Sequence, residues 1–200
     1  KVIDGLKGKL IIKYYPTRSA SVNTLAAHLK QMEIQEIKPD VVIVDYADIL
    51  KPTTFYKEKR HSTGETYENL RGMAGEFDIP IWTASQANRS SLEEEVIDAS
   101  KVSEDYSKVM TADFVMSISR KVEDKIANTG RVHVIKNRFG IDGITFPAEI
   151  NTNTGHIQVH EASTYAGKEA QGKMNNSEEY LRKTLAKKYN DLSPKTDGFE

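Results

Sequence analysis

Polar side chains follow directly after an apolar segment at three places in the sequence. The first is VVIVDY, where Asp45 comes after the β-branched run Val41–Val44. A continuous apolar run of this kind predicts a strand buried on both faces, as in a parallel sheet. Ligands of α/β proteins bind at the carboxyl ends of such strands, and a carboxylate there can hold Mg²⁺ directly or through water, which is the Walker B arrangement. Many buried strands also end in Asp only to cap the next turn, so both interpretations stay open.

The second motif is IPIWTASQANRSS, in which Ser85 and Gln86 follow the apolar run that begins at Ile81. A Gln at the end of a strand can hydrogen-bond a γ-phosphate or the water that attacks it. It can also transmit the loss of that phosphate to the loop beside it. The alternative is a polar residue that satisfies a loop carbonyl.

The third motif is VHVIKNRFG, in which Lys136 and Arg138 are two residues apart. If the strand pattern continues, both side chains project from the same face. A pair of cations at a hairpin tip can reach a neighbouring subunit and neutralise phosphate charge, as an arginine finger does. A solvated hairpin tip is the commoner role for this spacing.

The elements that position these motifs alternate between strands and helices in the first half of the chain. Ser19 or Ser21 can cap a helix that runs to about Ile37. The polar composition around the basic cluster predicts a loop over Lys51–Gly64. The other predicted elements are a strand over Leu10–Tyr15, a helix over Glu65–Phe77 and a strand over Ile81–Ser85.

The second half predicts mainly strands in series. After a charged loop over Asn88–Asp105, the expected elements are a short helix over Tyr106–Thr111 and strands over Phe114–Ser119, Arg131–Lys136, Ile144–Ile150 and His156–His160. Helices between the early strands, then strands in series, predict an α/β fold. Its sheet is mainly parallel and flanked by helices, with antiparallel strands at the C-terminal edge. A polar linker is expected over 162–176, then an amphipathic helix over Glu178–Tyr189 capped by Ser177.

The composition excludes several classes of protein. The 200 residues have a net charge of −1, so any nucleic-acid contact must come from local basic clusters. The absence of cysteine excludes disulfide frameworks and thiolate zinc sites. No apolar run approaches the roughly 20 residues of a membrane helix, and no signal peptide is evident, so the cytoplasm is the expected location.

Taken together, the motifs resemble those of DnaB-type hexameric replicative helicases, and within them the phage branch. VVIVDYADIL resembles the Walker B strand of that family, and ETYENLRGMAGEFDIPIWTASQANRS resembles the helix and strand that follow it. ADFV at 112–115 with Ser119-Arg120 resembles the next strand, and KNRFG resembles the finger motif. The similarity covers about residues 10–150.

The resemblance implies a RecA-like motor domain that assembles into a ring of six subunits around single-stranded DNA, with ATP between subunits. Asp45 would organise Mg²⁺, Gln86 would sense the γ-phosphate, and Lys136 and Arg138 would act in trans on the neighbour's ATP. Two channel loops would contact DNA at the candidate residues Lys57, Lys59, Arg60, Arg89 and Lys101. The first three could equally belong to an ordinary solvated loop, and Glu93–Glu95 in the second loop would repel a phosphate backbone.

The sequence lacks the family's P-loop, which has the pattern GxxxxGK followed by Ser or Thr. We therefore expect residues 1–161 to be the C-terminal portion of a RecA-like ATPase domain, 162–176 a linker, and 177–200 a terminal helix and tail. The P-loop and the catalytic glutamate would precede residue 1, and this chain alone would not hydrolyse ATP. A primase or a helicase loader is a further expected partner.

Two other functions fit parts of the pattern. A recombinase-type or clock-type RecA-fold ATPase shares the sheet and the Walker B strand but usually lacks KNRFG in this position. A non-catalytic RecA-fold scaffold or loader-binding module would explain the missing P-loop. Such a module has no chemical reason to keep Asp45, Gln86 and Arg138.

Overall fold

The structure, a computed structural model, describes residues 8–54, 59–87, 96–97 and 106–176, together with positions 179, 182, 183, 185 and 186. The side chains of 59–61 and 175 are not part of that description. The chain divides into two units, Lys1–Ser85 and Gln86–Glu200, and each is described by itself. Among the described helices, none combines the length and the apolar character needed to cross a membrane.

The first unit begins with helix α1, Val22–Ile34, whose start is fixed by a capping box at Ser21. The Ser21 hydroxyl accepts from the Thr24 backbone N–H at 3.3 Å, and the Thr24 hydroxyl accepts from the Ser21 N–H at 3.2 Å. These bonds satisfy two donors that the helix itself leaves without partners. Of the two predicted caps, Ser21 is therefore the one used. The helix ends near Glu36, which adopts a left-handed conformation with φ of 58°.

Strands β1, Val42–Val44, and β2, Ile81–Thr83, pair in parallel and are connected through helix α2, Lys59–Phe77. One face of this pair packs on α1 and α2. The buried side chains of the resulting core are Val22, Leu29, Met32, Ala47, Tyr67, Leu70, Met73, Phe77 and Ile79. A helical crossover between parallel strands is what the first half of the sequence predicts.

The opposite face of the parallel pair is open. Ile43 is 74% exposed and its register partner Trp82 is 45% exposed. The prediction that the first strand is buried on both faces is therefore wrong, because the described core covers one face only. The strand predicted over Leu10–Tyr15 is also wrong. Residues 9–16 are irregular, and no described strand pairs with them to accept their backbone hydrogen bonds.

Helix α2 begins at Lys59, six residues before the predicted start at Glu65. The loop prediction for Lys51–Gly64 is therefore wrong from Lys59 onward. Ser62, Thr63 and Thr66 are buried. The Thr66 hydroxyl donates to the Ser62 carbonyl at 2.9 Å, which shows how small polar residues are satisfied within a helix. Polar composition predicts a loop here because it does not reveal this local hydrogen bonding.

The second unit is built on a four-stranded antiparallel sheet with strand order β3-β4-β5-β6. Its strands are β3, Phe114–Ser119; β4, Thr129–Asn137; β5, Thr145–Asn151; and β6, His156–Val159. A short helix α3, Ser107–Thr111, precedes β3. These five elements agree with the predictions to within two residues at each end. Parallel and antiparallel pairing both occur as predicted, although the described strands form two sheets.

A short helix that was not predicted, α4 at Val122–Ala127, connects β3 to β4. Its Asp124 is buried, accepts the Lys121 backbone N–H at 2.9 Å and pairs with Arg131 of β4 at 2.6 Å. The helix ends at Asn128, which has a left-handed φ of 54°. Six residues are too few for an apolar period to stand out, so these tertiary bonds define the helix and the sequence pattern does not.

Helix α5, Tyr165–Asn175, occupies the segment predicted to be a polar linker. A helix within this segment was not predicted. Gly167, Ala170 and Met174 are buried along one face, and Lys173 pairs with Glu149 of β5 at 2.8 Å. Two of these three buried residues are glycine and alanine. Such small side chains contribute little apolar signal, so the segment looks polar in the sequence. Positions 179, 182, 183, 185 and 186 of the predicted terminal helix are helical, whereas Ser177, Tyr180, Leu181 and Tyr189 lie outside the described residues.

Candidate active site

Asp45 lies at the carboxyl end of β1, where its side chain is exposed. The Thr83 hydroxyl of β2 donates to the Val44 carbonyl at 2.9 Å and accepts from the Ala47 N–H at 2.9 Å. One hydroxyl therefore holds the backbone on both sides of Asp45. The Asp45–Tyr46 peptide bond is cis. The two hydrogen bonds of the Thr83 hydroxyl fix where the aspartate leaves the sheet, and the Asp45 side chain is exposed.

A second hydrogen-bonded cluster lies at the same strand ends. Asp48 is half-buried and accepts from the Tyr67 hydroxyl at 2.8 Å through Oδ1 and from the Ser85 hydroxyl at 2.9 Å through Oδ2. The Tyr67 hydroxyl also lies 3.4 Å from the Ala84 carbonyl oxygen. Burial, with the negative charge of Asp48 as a smaller cause, raises the pKa of Tyr67. Tyr67 therefore remains a neutral donor at neutral pH and connects α2 to the ends of β1 and β2.

Gln86, the predicted γ-phosphate sensor, follows Ser85 directly and is exposed. It is the first residue of the second unit, whereas Ser85 is the last residue of the first. The Asp48–Ser85 bond thus fixes the residue that precedes the predicted sensor.

Lys136 and Arg138 lie at the end of β4, and their side chains reach the same backbone carbonyl. Lys136 Nζ donates to the Met110 carbonyl at 2.7 Å and to the Val109 carbonyl at 2.9 Å. Arg138 Nη2 donates to the Met110 carbonyl at 3.3 Å, and its Nη1 pairs with Asp113 at 3.0 Å. The two cations therefore project to the same side of the hairpin, as their spacing predicts. They are gathered at the C-terminal end of α3, where a helix favours positive charge.

The predicted DNA-binding residues are less well described. Lys59 and Arg60 are the first two residues of α2 rather than loop residues. Lys57, Arg89 and Lys101 lie outside the described residues. The predicted channel contacts therefore remain predictions.

The described residues contain no group of three or more His, Cys, Asp or Glu side chains that could hold a metal ion by themselves. Asp45 presents one exposed carboxylate at the carboxyl end of β1. A single carboxylate fits Mg²⁺ that arrives with a nucleotide, because Mg²⁺ usually takes one or two carboxylates together with waters and substrate phosphates.

The stretch GKEAQGKM, Gly167–Met174, has the glycine and lysine spacing of a P-loop. Met174 replaces the hydroxyl residue that would contact Mg²⁺. The whole stretch lies within α5, so its backbone N–H groups belong to a helix rather than to a loop around phosphates. Lys173 pairs with Glu149 and Glu169. The structure therefore excludes this stretch as the phosphate-binding loop.

Asp48, Tyr67 and Thr83 are site residues that no sequence motif marks. Each acts through a partner that is distant in the sequence, since Tyr67 and Asp48 are 19 positions apart and Thr83 and Ala47 are 36 apart. The one available signal was Asp48 itself, a second carboxylate three residues after Asp45.

Comparison with known proteins identifies the family. Residues 6–178 match the family model of the DnaB-like helicase C terminal domain. The chain belongs to this family. A DnaB-like replicative helicase of Enterobacteria phage T4 is 31% identical to it over 137 residues. That match covers 66% of this chain and 29% of the T4 protein, so the chain spans less than a third of this relative's length.

Two solved structures share the fold. One, described as an ATPase domain, superimposes with a TM-score of 0.62 at 20% identity, over 71% of this chain and 52% of that chain. The other, a DnaB-like replicative helicase described with its interactions with primase, gives a TM-score of 0.60 at 21% identity, over 71% of this chain and 36% of that one. The predicted family and the predicted RecA-like α/β fold class are thus confirmed.

Proposed function

We propose that the chain is the C-terminal part of the motor domain of an ATP-driven ring helicase that translocates on single-stranded DNA and unwinds duplex DNA at a replication fork. Membership of the DnaB-like helicase family carries this proposal. The presentation of Asp45 at the end of a strand whose backbone is fixed on both sides of it supports the proposal.

Asp45 acts in this proposal as the carboxylate that organises Mg²⁺, directly or through water. Mg²⁺ held there with ATP would supply positive charge that offsets the negative charge of the phosphates during transfer of the γ-phosphate. Asp45 contributes position and negative charge, and the Thr83 hydroxyl keeps its backbone in place. Gln86 detects the γ-phosphate, and the Asp48–Ser85 bond anchors the peptide that carries it.

Arg138 and Lys136 act in trans on the ATP of a neighbouring subunit. Support comes from their shared position at the end of β4 and from the Arg138 side chain, which remains 42% exposed although it is paired. Positive charge supplied in this way stabilises the charge that develops during phosphoryl transfer. The required partner is a second copy of the chain, in a ring of six by resemblance to the family.

The P-loop and the catalytic glutamate come, in this proposal, from a part of the protein that precedes residue 1. The chain spans only 29% of the T4 relative, and its one stretch of P-loop spacing lies within a helix, which supports this view. The isolated chain is then unable to hydrolyse ATP. Lys57, Lys59, Arg60, Arg89 and Lys101 remain proposed DNA contacts, and primase or a helicase loader remains a proposed partner.

The test is ATP hydrolysis by the full-length protein, with and without single-stranded DNA, in mixtures of Asp45→Asn subunits with Arg138→Ala subunits. We expect DNA to stimulate turnover by the parent protein, each variant alone to be impaired, and the mixture to regain part of the turnover. Activity returns because some interfaces then combine the intact Asp45 of one subunit with the intact Arg138 of its neighbour. A mixture no more active than the two variants alone would exclude the trans role of Arg138.

A non-catalytic scaffold is the second candidate, because the 200 residues contain no complete P-loop. It predicts no ATP turnover by the full-length protein and no P-loop in its reading frame. A recombinase-type ATPase would instead catalyse strand exchange rather than unwinding. Assays of duplex unwinding and strand exchange on the same preparation separate the two.

A further inference from the structure

The contacts around Arg138 involve one acidic residue twice. The Arg138 backbone N–H donates to the Asp113 carbonyl at 3.0 Å, and Arg138 Nη1 pairs with Asp113 Oδ1 at 3.0 Å. Asp113 lies between α3 and β3, immediately before the strand that pairs with β4. One residue therefore holds Arg138 by both its backbone and its side chain.

Helix α3 provides the second support for the same side chain. Its Met110 carbonyl accepts from Arg138 Nη2 and from Lys136 Nζ, and its Val109 carbonyl accepts from Lys136 Nζ as well. Val109 is buried, so this turn of the helix is anchored in the second unit. Lys136 therefore connects this turn to β4 by hydrogen bonds, and Arg138 donates a hydrogen bond to the same turn.

We propose that Asp113 is a positioning residue that sets the Arg138 side chain, before a neighbouring subunit binds, in the conformation used in trans. This inference rests on the proposed trans role of Arg138 and adds the residue that prepares it. A free arginine samples many rotamers, and ordering it in advance reduces the entropy lost when it meets its target.

The geometry indicates that Asp113 orients Arg138 for its role in trans and does not block it. The contacts to Asp113 and Met110 engage two of the five N–H donors of the guanidinium, which leaves the others for an anion. The side chains of Arg138 and Asp113 are 42% and 38% exposed. An ion pair this open to solvent is weak, so it orients the arginine without competing strongly with a phosphate.

The experiment compares full-length variants in DNA-stimulated ATP hydrolysis, with kcat and KM measured separately. We expect Asp113→Asn to lower kcat by about 10-fold, within the roughly 100-fold that a misplacement of 1 Å can cost. The KM for ATP should change by less than about 2-fold, because the loss of an interaction that is made only in the transition state lowers kcat and leaves KM unchanged. Asp113→Glu, which keeps the charge on a longer arm, should give an intermediate rate.

The double variant Asp113→Asn/Arg138→Ala distinguishes positioning from a structural role. If Asp113 acts through Arg138, the double variant is no slower than Arg138→Ala alone. Asp142→Asn is the matched control, because Asp142 is an exposed carboxylate in the same β4–β5 hairpin and its removal should leave the rate unchanged. Thermal unfolding of each variant verifies the fold. If Asp113→Asn is unstable, the comparison is made with Asp113→Glu instead.

Three results would overturn the inference. They are a rate for Asp113→Asn equal to that of the parent protein, a faster rate (which would mean that Asp113 sequesters Arg138), and additive losses in the double variant. Each leaves the proposed function intact if Arg138→Ala is itself impaired. Full activity of Arg138→Ala would instead remove the trans role and this inference together.

Discussion

The two regions that carry the predicted catalytic residues are stabilised by different kinds of hydrogen bond. At the ends of β1 and β2, hydroxyl groups of Thr83, Tyr67 and Ser85 bond to carbonyls and to Asp48. At the end of β4, cationic side chains bond to helix carbonyls and to Asp113. In the first region the backbone beside the functional group is held, whereas in the second the functional side chains themselves are held.

This difference matches what each region has to do under the proposed function. A metal-organising carboxylate must stay in one place, so neutral hydrogen bonds to its backbone are sufficient. An arginine that acts in trans must be oriented by contacts that are weak and that leave some of its donors available to a phosphate. Exposed charge pairs are weak, because water and salt already compete with them.

The largest effect is expected from Asp45→Asn. It removes the negative charge at an exposed position and leaves the Thr83 bonds intact, so catalysis should fail while folding does not. We expect the ATP turnover of the full-length protein to fall about 100-fold or more, as for the loss of a main electrostatic group. Thermal unfolding should be unchanged. An active Asp45→Asn variant would remove the proposed role of this residue.

The next effect is expected from Thr83→Val, which keeps the shape of the side chain but removes its hydroxyl. The Val44 carbonyl and the Ala47 N–H both lose a partner, at a cost of about 1–3 kcal/mol in the free energy of unfolding. Chemical denaturation measures this cost. Thr83→Ser retains the hydroxyl and is the control. If Val and Ser variants are equally stable, the hydroxyl does not fasten the strand end.

A smaller effect is expected from Tyr67→Phe. The ring stays in the core, whereas Asp48 loses the tyrosine donor and keeps Ser85, so the loss should be about 1 kcal/mol. Because burial raises the pKa of Tyr67, the difference in stability between the two proteins should be constant from about pH 6 to 9. A difference that changes over this range would show that the hydroxyl ionises and would contradict the burial argument.

The smallest effect is expected from the Glu149–Lys173 pair between β5 and α5. Hydrogen bonding from Lys173 holds the pKa of Glu149 below its ordinary value. The stabilisation is therefore present above the pKa of Glu149 in the unfolded chain and is lost as pH falls through the lowered folded value. Both side chains are more than a third exposed, so the coupling is well below about 1 kcal/mol.

A double-mutant cycle of Glu149→Gln and Lys173→Met, measured by denaturation at pH 7 and at pH 3, tests this pair. Coupling should be detectable at pH 7 and smaller at pH 3. Equal coupling at both pH values would mean that Glu149 stays ionised in acid or that the contact is not electrostatic.

Local sequence signals predicted the elements whose causes are local. The Ser21 cap of α1 and the short apolar runs that form β3 to β6 each involve residues a few positions apart. The exposed face at Ile43 and the helix α5 could not be predicted in this way. An apolar run does not say what covers it, and a helix that buries glycine and alanine looks like a polar linker.

The same distinction between local and distant causes separates the site residues that were predicted from those that were not. The sequence predicted the residues that follow an apolar run, because this pattern can be read from neighbouring positions. They are Asp45, Gln86, Lys136 and Arg138. The residues that hold them were not found, since Asp48 and Ser85 are 37 positions apart and Lys136 and Met110 are 26 apart. Which hydroxyl or carboxylate completes a strand end depends on tertiary packing.

Trp82 is the single tryptophan of the chain, and it lies on the open face of the β1–β2 pair opposite Ile43. Indole emission shifts to shorter wavelength when the ring leaves water. The intrinsic fluorescence of this protein therefore comes from one position and reports directly on that sheet face. Any segment or protein that comes to cover it would produce a blue shift without a chemical label.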